Sequence, residues 1–79
     1  MDYRGELLAL MDGFREARPL SEARVANLAG RDSRFFSRLR EGKGCSVDTL
    51  LKTRAWFDEN WPDGAHWPRD VPRPAEARP

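Results

Sequence analysis

A chain of 79 residues has room for one small domain, and a domain of that size buries only a modest fraction of its unfolded surface. A substrate-engulfing enzyme is therefore not expected. With 39% hydrophobic and 34% charged residues, the composition suits a compact helical domain rather than a fully disordered chain. The net charge of +1 hides an uneven distribution: residues 1–19 carry −1, residues 20–54 carry +4 and residues 55–79 carry −2. A polyanionic partner would be met in the middle, because phosphate neutralisation is local.

No apolar run approaches the roughly 20 residues of a membrane span, and no secretory signal pattern opens the chain, so a cytoplasmic location is expected. Cys45 is the single cysteine. It has no second thiol for a disulfide or a zinc site, and it reads as a loop or helix-cap residue. No metal, cofactor or small-molecule ligand is expected. His66, the lone histidine, has no neighbouring Cys or paired acid and reads as a surface or Trp-packing residue. Asp58 and Glu59 are adjacent on one helix and point apart, so they make no catalytic pair.

Taken in chain order, Leu7, Leu10, Met11 and Phe14 fall at helical spacing and predict a first helix over residues 2–17. Pro19 closes it, since the residue before a proline is pushed out of the helical region. Ser21 is a good N-cap for a second helix that presents Val25, Leu28 and Ala29 on one side and ends at Gly30. Asp32 reads as the next N-cap. Ser33 and Arg34 then open a third helix that buries Phe36 and Leu39 and stops at Gly42.

After a loop at Lys43, Gly44 and Cys45, Ser46 caps a fourth helix carrying Val47, Leu50, Leu51, Phe57 and Trp61 inward, which Pro62 ends. Residues 62–79 form a tail with Pro68, Pro72, Pro74 and Pro79 among charged residues, which favours an extended course. Two indoles, Trp61 and Trp67, flank a Pro/Gly turn and are costly to leave in water. Residues 61–68 are therefore expected to fold back on the helices.

Two short helices joined by a glycine turn form a helix-turn-helix over residues 22–41. Ala26 is small where the pair crosses closely, Gly30 takes the turn, and Val25, Ala29, Phe36 and Leu39 make the apolar seam. With that seam inward, Ser33, Arg34, Ser37, Arg38 and Glu41 share the opposite side of the third helix. A major groove admits one helix, and Arg donates two hydrogen bonds to guanine O6 and N7. Arg34 and Arg38 are thus the first candidates for base reading, with Ser33 and Ser37 beside them. Arg24, Arg31, Arg40 and Lys43 are placed to hold phosphates. Phe35 either touches a thymine methyl or fills the edge of the core.

The string VANLAGRDSRFFSRLREG resembles the helix-turn-helix of the lambda-repressor and Cro-like family, and the resemblance runs over residues 20–51. It implies an all-α domain of four to five helices over residues 1–61, base contacts from Ser33, Arg34 and Arg38, and the role of a short transcriptional regulator, most simply a repressor of phage or bacterial type. It also implies homodimers on a palindromic double-stranded operator. Phe57, Trp61 and Trp67 are the candidates for the dimer interface, as large apolar groups beyond what one small core absorbs. One residue departs from the family pattern: Arg31 stands after the turn glycine where an aliphatic side chain is usual, and it is expected to swing outward. A protein-interaction module or an excisionase-like architectural DNA binder are the alternatives.

Overall fold

The computed structural model describes residues 2–69 and 71, and its order is α1 (Tyr3–Ala17), α2 (Glu22–Leu28), α3 (Phe35–Arg40) and α4 (Val47–Asn60). Among the described residues there is no strand, so the fold is all-α. Helix α1 is the shared element, with α2, α3 and α4 each packed on it. Leu7, Leu10, Met11 and Phe14, the predicted apolar face, have no exposed surface. Burying a large apolar side chain completely stabilises by about 1.5–3 kcal/mol. This one face therefore organises the domain.

Side-chain caps fix three of the helix starts. The Asp2 carboxylate accepts from the Gly5 amide at 2.9 Å, Ser21 Oγ from Arg24 at 3.1 Å, and Ser46 Oγ from Thr49 at 3.1 Å. The Gly5 amide, and after it Arg4, hold the Asp2 carboxyl below the usual carboxylate range. Whatever this cap adds is present above the ordinary carboxylate pKa and is lost as pH falls through the lowered one.

Helix α2 stops at Leu28, two residues before the predicted Gly30, in a Schellman motif. The Gly30 amide donates to Asn27 O at 3.0 Å and the Arg31 amide to Ala26 O at 2.8 Å, which requires the φ of 77° found at Gly30. Gly42 ends α3 in the same way, with φ 94°. A Cβ in this left-handed region costs about 1–2 kcal/mol. Gly30→Ala is expected to lower stability by that amount, measured as a shift in the urea midpoint at unchanged slope.

The predicted third helix is shortened at its start. Phe35 donates to Asp32 O at 2.9 Å and the Asp32 carboxylate accepts from the Arg34 amide at 2.7 Å. Ser33 and Arg34 are consequently held in a turn, and helical bonding begins at Phe35. The connection from α2 to α3 thus runs over residues 29–34 rather than closing at Gly30 alone.

Three apolar side chains assigned inward face solvent instead: Leu28 is 39% exposed, Val47 70% and Leu51 55%. The inward line of α4 is Leu50, Thr53 and Phe57. Thr53 is fully buried, and its hydroxyl donates to Thr49 O in its own helix at 2.7 Å, so it needs no partner across the core. At 100° per residue, that line turns Val47 and Leu51 toward the outside.

The dimer candidates are also relocated. Phe57 has no exposed surface and Trp61 only 9%, because both complete an aromatic cluster around Phe14. The Phe14 ring centroid lies 5.8 Å from that of Phe57, 6.1 Å from Trp61 and 5.3 Å from Trp56. The half-buried Trp67 packs 4.8 Å from Trp61. Both indoles are satisfied locally, Trp61 Nε1 donating to Ala65 O at 3.1 Å and Trp67 Nε1 to Val71 O at 2.7 Å. The stretch after α4 does fold back, and the buried Val71 joins the core. Trp61 lies over Gly13 of α1, where a Cβ would stand 3.1 Å from its ring, so the absence of a side chain there is what seats the indole. The prolines at 72, 74 and 79 lie outside the described residues.

Candidate nucleic-acid interface

Helix α3 is anchored by Phe36, which is fully buried, and Leu39, 3% exposed. Phe35 is half-buried and meets Phe36 edge-on with centroids 5.1 Å apart, filling the margin of the core. The residues between these anchors are turned away. Ser33 and Arg34, in the turn before α3, and Arg38 are exposed, and Ser37 is half-buried.

Their electrostatic states differ. Arg38 lies 3.6 Å from the Asp32 carboxylate, a loose pair with both side chains about half exposed. Arg34, Arg24 and Lys43 are exposed and have no carboxylate within ion-pair distance among the described residues. Arg40 is not free: its guanidinium donates to both oxygens of Glu22, at 3.0 and 3.1 Å, bridging α3 to the first turn of α2. Arg54 is also taken, paired with Glu6 of α1 in a largely shielded contact. The cationic surface is narrower than the count of basic residues implies.

Arg31 does not swing outward. It is half-buried, its Nη1 reaches Thr49 Oγ1 in the first turn of α4 at 3.4 Å, and its Nε is shielded from solvent without a hydrogen-bond partner. The side chain thus lies against the start of α4, with its guanidinium at Thr49 rather than in open solvent. A cavity of about 310 Å³ opens beside it, lined among others by Asp32, Phe35, Arg38, Cys45 and Thr49. Partial burial raises the Cys45 thiol above its ordinary pKa, with Arg31 acting in the opposite direction. The thiol is therefore protonated at neutral pH, which makes it a poor nucleophile.

The loop after α3 is held from the other end of the chain. Arg4 donates to Gly42 O and pairs with Asp2 at 3.2 Å, while the Tyr3 hydroxyl lies against Gly44. These residues fix where Lys43 is presented. Nothing in the sequence marks them, because Arg4 and Gly42 are 38 positions apart.

His66 is exposed, and among the described residues no cluster of His, Cys, Asp and Glu has the geometry to hold a metal ion. No helix among them is long and apolar enough to cross a membrane. Comparison of the chain with protein-family models, with curated proteins and with solved structures found no match.

Proposed function

We propose that the chain binds double-stranded DNA as a small transcriptional regulator, a repressor in the simplest case, with the outward side of residues 33–38 entering the major groove. The lambda-repressor and Cro-like arrangement is part of this reading. The observation that carries it is the pairing of opposite faces in one short element: Phe36 and Leu39 are locked into the core, while Arg34 stands exposed and without an ion-pair partner among the described residues. A guanidinium presented in this way matches the O6 and N7 acceptors of guanine. Arg38 adds a second donor once it leaves Asp32, with Ser33 and Ser37 as neighbouring donors or acceptors. Arg24 and Lys43 flank this side as phosphate contacts, and Arg40 joins them only by exchanging Glu22 for the backbone.

A binding selection on random duplex DNA tests the proposal. Enrichment of a defined motif, arranged as an inverted repeat if two copies bind together, is the expected result. Failure to retain any duplex at low salt would remove DNA from consideration.

Asp32 acts as a brake within this reading. Asp32→Asn keeps an oxygen to accept from the Arg34 amide but removes the charge facing Arg38. A surface ion pair is worth about 0–1 kcal/mol, so affinity for duplex DNA is expected to rise by up to about fivefold. If the released Arg38 reaches a phosphate, the slope of log affinity against log salt steepens by about 1. Anisotropy titrations over a salt series measure both, and an unchanged affinity would mean that Arg38 stays off the DNA.

A further inference from the structure

We infer that the outer face of α4 is the surface by which two copies of this chain associate, as an antiparallel helix pair centred on Leu51. This deepens the pairing expected of a regulator on an inverted repeat, but it stands on the fold alone. Val47 and Leu51 are 70% and 55% exposed, and Ala55 is exposed one turn further along the same helix. Residues four apart share a face, so the three form one stripe.

The stripe is symmetric about its middle residue. A two-fold axis beside Leu51 sets that side chain against its own copy and lays each Val47 over the partner's Ala55, large against small at both ends. Charge completes the match. Asp48 and Lys52 run along one edge of the stripe as an exposed i,i+4 pair at 3.0 Å. Under the same axis that edge meets itself in reverse, bringing each Asp48 beside the other copy's Lys52, with the two bases nearest the axis and an acid outside each. The helix macrodipoles also oppose each other in an antiparallel pair, which is their favourable arrangement. Phe57 and Trp61, committed to the core, are not available for this role.

The contact is small. Stable interfaces bury roughly 800 Å² per partner, and one helix face of three apolar side chains falls short of that. The pair is therefore weak in solution and is completed where DNA holds two copies together.

Sedimentation equilibrium of the full chain, without DNA, tests the inference. The wild type is expected to pass from monomer toward dimer between about 10 µM and about 1 mM, the range of a weak interface. Leu51→Asp is expected to weaken association at least tenfold with an unchanged helical circular dichroism signal. A second measurement does not depend on that variant folding. In a Cys45→Ser background, Leu51→Cys is expected to form a disulfide-linked dimer under mild oxidation, because a residue on the axis meets itself within disulfide reach. Leu28→Cys, on the other exposed leucine, is expected to stay monomeric. A wild type that is monomeric throughout, association unchanged in Leu51→Asp, or equal cross-linking of Leu28→Cys would each overturn the inference. None of these results bears on DNA binding by a single copy, which the duplex selection tests separately.

Discussion

Arg34→Ala is expected to cost about 1–3 kcal/mol in binding to the selected duplex, a loss of roughly 5- to 150-fold, and to leave binding to a scrambled duplex nearly unchanged. The size of the effect follows from the state of the side chain before it binds. Among the described residues Arg34 has no carboxylate to leave, so bidentate bonds to a base, as proposed, would come without an exchange of partners. Arg38→Ala is expected to cost less, because the guanidinium already lies 3.6 Å from Asp32 and gives up that interaction on binding. Lys43→Ala provides the contrast. A phosphate contact carries no sequence information, so its loss is expected to weaken both duplexes alike and to reduce the salt slope by about 1. Anisotropy titrations of both duplexes from about 50 to about 200 mM salt separate the three outcomes. Equal losses on both duplexes for Arg34→Ala would make it a phosphate contact and take base reading away from this side of the helix.

How much of this was legible in the sequence depended on whether the controlling interactions were local. Ser21 and Ser46 cap the helices they were expected to cap, and the α1 face is buried as its spacing requires, since both effects act within a few residues. Gly30 and Gly42 terminate helices because a Schellman turn needs a residue that tolerates positive φ. Asp32 was harder to place. An Asp followed by Ser and Arg satisfies the same rule whether it caps a helix or closes a turn before one, and here the turn comes first.

The phase of α4 was misjudged for a different reason. Val47 and Leu51 have the apolar character of core residues, whereas the position that is buried is Thr53, whose hydroxyl is satisfied by its own helix. The charge count misled in the same way, because charges cancel across distances that a linear reading does not see. Arg40 finds Glu22 across 18 positions and Arg54 finds Glu6 across 48. Arg31, expected outside, is drawn in by Thr49.

Phe57→Ala is expected to destabilise the domain by about 3–5 kcal/mol, the range for removing a fully buried phenylalanine. Its ring has no exposed surface and lies with centroids 5.2 Å from Trp56, 5.8 Å from Phe14, 6.2 Å from Phe36 and 6.3 Å from Trp61, so truncation opens a cavity that four aromatic neighbours border. A domain this size has a total stability near the low end of about 5–15 kcal/mol, which leaves the variant only about 0–2 kcal/mol and so marginally stable at room temperature. The milder Phe57→Leu keeps most of the volume and is expected to remain folded with a lowered urea midpoint. The pair of variants distinguishes a core residue from an interface residue. If Phe57 served association, Phe57→Leu would change sedimentation at an unaltered midpoint. Because the ring instead ties α4 to Phe14 of α1 and Phe36 of α3, the midpoint should move while weak self-association persists in the folded fraction. The ring that steadies the proposed DNA-reading element thus belongs to the core, and the surface proposed to join two copies lies on another side of the same helix.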